Sequence, residues 1–268
     1  MYERGLDRDG TIAREGALER VPAPFTPVVD AARAHVAATF DSARLHSAYV
    51  YGSIPRGTAT PGVSDLDLQL VLHNEPTVGD RSDARAIEGE LDQAFPQIDG
   101  AGILLTSAKH LLSDAERHDG GFFIACLCTP LLGPDLAAQL PRYRPTTLLA
   151  RETNGDLAHV LPRWRAKAAA ATTDADRRIL SRSVGRRTVR TGFTLIMPSW
   201  GGWTSDLDQS AELFGGYYPE RAEQMRVAAA VGRAPSPDPA VLRMLIADLG
   251  PWLAAEYAAV HGVKALHA

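Results

Sequence analysis

Two aspartates separated by one residue, Asp65-Leu66-Asp67, are the residues in this chain best suited to chemistry. They open a run, Asp65-Leu-Asp-Leu-Gln-Leu-Val-Leu-His73, that puts Leu66, Leu68, Leu70 and Leu72 on one face of a strand. Asp65, Asp67, Gln69 and His73 fall on the other. Residues two apart on a strand lie roughly 6.5–7 Å apart at the backbone. Both carboxylates can therefore converge on one hard cation or flank two, while the leucine face anchors the strand and the acidic face stays open. Just upstream, Tyr49-Val-Tyr-Gly-Ser-Ile-Pro-Arg-Gly57 reads as an aromatic and β-branched strand ending in Gly52-Ser53 and a short helix. The backbone N–H groups of such a turn can point at an anion. Gly52 has no β-carbon to keep a phosphate away, and Ser53 adds a hydroxyl donor. Arg56 can pair with a phosphate or with a structural carboxylate.

Positioning these groups takes a sheet. Thr26-Pro27 predicts a capped helix start, with Val29, Ala32, Val36 and Phe40 at helical spacing through about Arg44. Strands are predicted at about 48–51 and 65–73, an exposed helix over 80–95 ended by Pro96, and a third strand over 97–106 with helix 107–115 behind it. Prolines concentrate over 129–145, and helical patterns dominate afterwards, at about 152–171, 174–197, 219–231 and 239–261. The expected boundary lies near 145, giving domain 1–145, with 1–24 as an N-terminal arm, and domain 146–268. The fold class is α+β, a mixed β-sheet flanked by helices followed by a C-terminal helical domain.

Gly52-Ser53 followed by Asp65-Leu66-Asp67, with Arg56-Gly57 after the glycine turn, resembles the nucleotidyltransferase superfamily. The resemblance spans roughly residues 27–110, and the two-part layout is most similar to the antibiotic (aminoglycoside) adenylyltransferases. It implies a magnesium-dependent transfer of a nucleoside monophosphate, most simply AMP from ATP, to a hydroxyl of a small molecule such as an aminoglycoside-like antibiotic. Two ions, held by Asp65 and Asp67, would neutralise charge on the phosphates. The family adds a third carboxylate from a neighbouring strand, for which Asp99, followed by Gly100 and Gly102, is the candidate as metal ligand and base. Glu88, Glu90 and Asp92 read as a solvated helix face. The resemblance leaves two alternatives open: a toxin-like enzyme acting on tRNA or protein, and a nucleotide-binding regulator without turnover.

In the second part Arg178, Arg182, Arg186 and Arg190 recur every four residues along one predicted helix, with Arg177 and Arg187 beside them. Arg182 and Arg186 are the candidates for reaching the triphosphate, since planar guanidinium groups match phosphate oxygens; a solvated face is the plainer reading of any one arginine. Arg163-Trp164-Arg165-Ala-Lys167 is too short a basic stretch to imply nucleic acid. Trp200, Trp203, Asp206, Asp208 and Tyr217-Tyr218 form an aromatic and acidic region suited either to a cationic, hydroxylated acceptor or to packing and helix caps.

The 268 residues carry a net charge of −4, which opposes a nucleic-acid binder held by a global basic field. With 45% hydrophobic and 22% charged residues, the composition is that of a soluble globular protein. No apolar run is long enough to span a membrane, and the N-terminus lacks a signal peptide's apolar core, so a cytoplasmic location is expected. Cys126 and Cys128 have no zinc-pattern partners and read as buried thiols.

Overall fold

The computed structural model describes residues 4–265. The chain divides into two compact units, one of Ala13–Tyr143 and the other of the segment ending at Ile12 together with the chain from Arg144 onward.

In the first unit, helix α1 (Thr26–Thr39) precedes strand β1 (Leu45–Tyr51), a single helical turn α2 (Ser53–Arg56) and strand β2 (Leu66–Leu72). Helix α3 (Val78–Ala94), strand β3 (Ala101–Ser107) and the short helix α4 (Ala108–Leu111) follow. Helical turn α5 (Gly120–Phe122) runs through a π-helical stretch, Phe123–Leu127, into strand β4 (Cys128–Leu132). The sheet order is β3-β2-β1-β4, with β2 antiparallel to β1 and parallel to β3, and β4 antiparallel to β1. The expected mixed sheet is thus present.

Leu66, Leu68, Leu70 and Leu72 are buried against Val29, Ala32 and Val36 of α1 and Ile87 and Leu91 of α3. The expectation that the opposite face stays open needs correcting. Val71 packs there with Tyr49, Leu111, Ile124 and Cys128, and Gln69 is buried too. Within β2 only Asp67 on that face remains partly accessible, and His73 just beyond the strand is exposed, while Leu111 of α4 and Ile124 of the π-helical stretch pack over the middle of the face. Cys126 and Cys128 are buried free thiols, and burial pushes the Cys128 thiol well up.

Several local readings also change. Thr26 is the first residue of α1 and makes no capping bond, because the preceding turn Ala23–Phe25 continues directly into the helix. α3 is capped instead by a reciprocal pair: Thr77 accepts from the Asp80 N–H and Asp80 accepts from the Thr77 N–H at 2.8 Å. The 97–106 strand starts only at Ala101, and helix 107–115 shortens to α4.

The second unit holds α6 (Thr147–Asn154), α7 (Leu157–Ala170), α8 (Asp174–Trp200), α9 (Leu207–Tyr217), α10 (Ala222–Arg233), α11 (Pro239–Arg243), a π-helical stretch Met244–Leu249, and α12 (Gly250–His261). The predicted helix 152–171 is split at Gly155-Asp156. α8 extends through Pro198 to a left-handed Gly201 (φ 72°), whose conformation glycine adopts without strain. α9 stands where a loop region was expected. Arg4 belongs with this unit, its carbonyl accepting from the Trp203 N–H at 2.8 Å.

Candidate functional site

The centre of the first unit's site is the carboxylate of Asp67. The register places Tyr51 of β1 on one side of it and Gly102 of β3 on the other. A β-carbon at Gly52 would lie 3.0 Å from Asp67 Oδ2, and one at Gly102 would lie 3.6 Å from Oδ1. The carboxylate therefore sits between two bare backbone positions. Gly52 is held at φ 86°, ψ −151°, a conformation open in practice to glycine alone. Bringing the end of β1 this close to the acid of β2 thus takes glycine for two reasons, conformation and space.

Ser53 follows at the start of α2, and its hydroxyl has no hydrogen-bond partner among the described residues. Asp65 is the residue immediately before β2, and its carboxylate likewise makes no hydrogen bond or ion pair among the described residues. Neither group is consumed by the fold. Arg56 instead points to a structural carboxylate, Glu15, at 3.5 Å, with its Nε buried and without a hydrogen-bond partner.

Asp99 stands two residues ahead of β3 rather than on it, in an exposed bend. Its N–H donates to Ser64 O at 3.1 Å, and the next residue's carbonyl accepts from the Leu66 N–H at 2.8 Å. The backbone of Asp99 is thereby laced to the segment that carries Asp65. Opposite Asp67 on β3 the register places Gly102, not a carboxylate.

Magnesium favours a few carboxylate oxygens completed by water and substrate phosphates. Asp65 and Asp67 supply that donor chemistry. Among the described residues no group of three or more His, Cys, Asp or Glu side chains is arranged to hold a metal. The fit is to a two-carboxylate site that shares its remaining ligands with substrate.

Glu88 and Asp92 have a role that their sequence did not reveal. Glu88 Oε1 accepts from the Ile103 N–H at 2.6 Å and Asp92 Oδ1 from the Ala101 N–H at 2.7 Å. They cover the outward N–H groups of the edge strand, which otherwise invite pairing with another chain.

The arginine row of α8 lines a cavity of about 550 Å³ between α7 and α8, with Arg163, Arg182, Arg186, Arg187 and Arg190 around it and Asp156 as its carboxylate. Arg187 is ion-paired to Asp156, and Arg186 Nε donates to Gly232 O at 2.9 Å. Arg178 turns away to Pro235 O at 3.0 Å and Arg177 pairs with Asp174 at 2.7 Å. Sequence spacing placed the row on one side of a helix but did not reveal that Arg163 and Asp156 of the α7 region complete the cavity wall.

In the aromatic and acidic region, Trp200, Trp203, Asp206 and Asp208 are engaged in packing, capping and ion pairing, while Tyr217 is exposed. Phe193 packs edge-on against Trp200 and Trp203, with centroids 5.8 and 5.6 Å away. Asp206 caps α9 by accepting from the Gln209 N–H at 2.8 Å, and Asp208 is ion-paired to Arg233.

Residues 40–99 match the family model of the nucleotidyltransferase domain, a span that includes β1, the glycine turn, β2 and Asp99. Among solved structures, the chain is similar to the spectinomycin adenyltransferase of Enterococcus faecialis, solved with ATP and spectinomycin. The TM-score is 0.52 at 11% identity, covering 86% of this chain and 98% of that one. At that identity the likeness is one of fold. No curated protein matches the sequence.

Proposed function

We propose that this enzyme, which belongs to the nucleotidyltransferase superfamily, transfers AMP from ATP, with magnesium, to a hydroxyl of a small molecule. The observation that carries the reading is the Asp67 carboxylate lying against the bare backbone of Gly52, next to a serine hydroxyl and an Asp65 carboxylate that the fold leaves unengaged. A turn suited to phosphate and carboxylates suited to magnesium stand at one sheet end, which supports the reading.

In the reaction the acceptor oxygen bonds to the α-phosphorus, the bond from that phosphorus to the bridging β-phosphate oxygen breaks, and pyrophosphate leaves. Gly52 gives the phosphates room to approach, and Ser53 donates a hydrogen bond to them. Asp65 and Asp67 would hold magnesium, which supplies charge neutralisation at the phosphate oxygens. Asp99 takes the acceptor's hydroxyl proton. Arg182 and Arg186 hold phosphate oxygens through charge-assisted bonds. Among the described residues no helix is long and apolar enough to cross a membrane, and the acidic net charge supports a small acceptor over tRNA. An antibiotic acceptor, as with the spectinomycin adenyltransferase of similar fold, belongs in the first panel tested.

The test is mass spectrometry of the protein with magnesium, each NTP in turn, and panels of small hydroxyl compounds and total tRNA. A nucleoside monophosphate adduct on a small compound, absent with Asp65→Ala or Asp67→Ala, is the expected result. An adduct on tRNA alone supports the macromolecular alternative, and transfer undiminished in both variants refutes the site.

A further inference from the structure

The segment 14–17 belongs to the same compact unit as the paired aspartates and is laced to the elements that flank the Gly52-Ser53 turn. On the strand side, Arg14 donates to both carboxylate oxygens of Asp135, at 2.8 and 3.2 Å, and its Nε donates to Ala125 O at 3.0 Å. Asp135 in turn accepts from the hydroxyl of Tyr49, on β1, at 3.3 Å. On the helix side, the Ala17 N–H donates to Pro55 O at 3.0 Å, and Arg56 reaches the Glu15 carboxylate at 3.5 Å. The Glu15 N–H donates to Cys126 O at 2.9 Å. Between these anchors Gly16 has no room for a side chain, because a β-carbon there would collide with Thr129 Oγ1 and stand 3.0 Å from the Pro55 β-carbon. Arg20 O closes in on the far end of α2, 3.0 Å from where a β-carbon at Gly57 would lie.

α2 cannot set its own direction. It is one turn, with the Gly57 N–H bonded to Ile54 O at 3.1 Å and the Thr58 N–H to Ser53 O at 3.0 Å, and a single turn repays little of the entropy lost in ordering it. Its direction comes from what holds it, β1 ahead of Gly52 and the segment 14–17 at Pro55 and Arg56. We infer that the segment 14–17 is a strap that fixes the Gly52-Ser53 turn, with Glu15 and Gly16 as positioning residues; this rests on the reading of that turn as the phosphate site. Both act through Pro55 and Arg56, which share the turn with Ser53. Loosening the strap lets the turn tilt, and a donor displaced beyond about 0.5 Å no longer matches its phosphate.

The test pairs amide hydrogen exchange over residues 53–58 with calorimetric titration of magnesium-ATP, both on the full chain. Gly16→Ala drives a β-carbon against Thr129 and Pro55. It should speed exchange of the Gly57 and Thr58 amides and weaken magnesium-ATP binding roughly tenfold or more. Thr129→Ala alone should stay close to the parent in both readings, since the Thr129 hydroxyl is buried with no hydrogen-bond partner among the described residues. Added to Gly16→Ala, it opens the space and should restore most of both losses. Glu15→Gln adds no bulk and serves should Gly16→Ala not fold: it should weaken magnesium-ATP binding roughly two- to fivefold, with a melting transition near the parent's. A strap that only stabilised the fold would lower the melting transition and leave nucleotide affinity alone. Where the parent binds magnesium-ATP, parental affinity in both Gly16→Ala and Glu15→Gln overturns the inference, as does a double variant no better than Gly16→Ala. The same data keep the two readings apart. Strap-dependent exchange in a parent that binds no nucleotide upholds the strap and refutes the phosphate site. Magnesium-ATP binding and AMP transfer indifferent to every strap variant uphold transfer and refute the strap.

Discussion

Replacing Gly52 by alanine tests the geometry of the proposed catalytic end of the sheet, because two independent penalties meet at that position. The backbone angles, φ 86° and ψ −151°, lie where a side chain costs about 1–3 kcal/mol. The new β-carbon would also stand 3.0 Å from Asp67 Oδ2, tighter than ordinary contact, so the carboxylate must retreat by a few tenths of an ångström or the turn must open. A cost of about 2 kcal/mol corresponds to a fall in melting temperature of roughly 4–8 °C for a protein of about this size. On the proposed reading, in which Asp67 holds magnesium, function should suffer more than stability, since a displaced carboxylate falls outside the tolerance catalysis requires. Gly102→Ala is the matched control. It touches the same carboxylate, but at 3.6 Å from Oδ1 and at ordinary backbone angles, so its stability should stay within about 0.5–1 kcal/mol of the parent. Thermal unfolding followed by circular dichroism, with magnesium-ATP titration of each variant, reads both effects. A Gly52→Ala protein that melts with the parent and binds magnesium-ATP equally well would refute the argument, as would equal damage from the two substitutions.

Asp99→Asn should lower kcat far more than it raises KM for the nucleotide, because a proton acceptor works mainly in the transition state; steady-state kinetics decides, and an unchanged kcat removes Asp99 from the site. Glu88→Ala and Asp92→Ala should leave turnover intact but each cost about 0.5–1.5 kcal/mol in denaturant unfolding, since each strands an N–H of β3. Arg182→Ala or Arg186→Ala should weaken ATP binding by about 1–3 kcal/mol, measured by calorimetry, and unaltered affinity in both would put the triphosphate elsewhere. Hydrogen bonds from Thr77 and then Arg44 hold the Asp80 carboxyl down to about 2. A folded-state pKa below the unfolded value adds stability that is complete above about pH 4 and lost as pH falls towards 2. Asp80→Asn should flatten the stability profile over that window, and an unchanged acid limb would show that other carboxylates set it.

The sequence by itself determined the features that depend on local period and chain geometry. The alternation of Leu66 to Leu72 settles which residues of β2 share a face, and the four-residue spacing of Arg182, Arg186 and Arg190 settles that they share a side of α8. Both follow from backbone repeat alone, whatever lies around them. The glycine turn and paired aspartates were legible for the same reason, as short-range patterns on predicted strands. Only the tertiary structure decided what covers each face. Parity puts Asp67, Gln69 and His73 on one face, but the packing of Ile124 and Cys128 against Val71 is what buries its middle while Asp67 stays partly accessible. Glu88 and Asp92 looked solvated because helical spacing does not disclose that an edge strand offers them N–H groups. α9 escaped notice because its glycine- and aromatic-rich sequence has weak helical preference, and the Asp206 cap with the burial of Ala211 and Phe214 stabilises it. Local repeats are written in neighbouring residues. A cavity joining Arg163 to Arg190, or a glycine under a carboxylate fifteen residues further along the chain, exists only once distant segments pack.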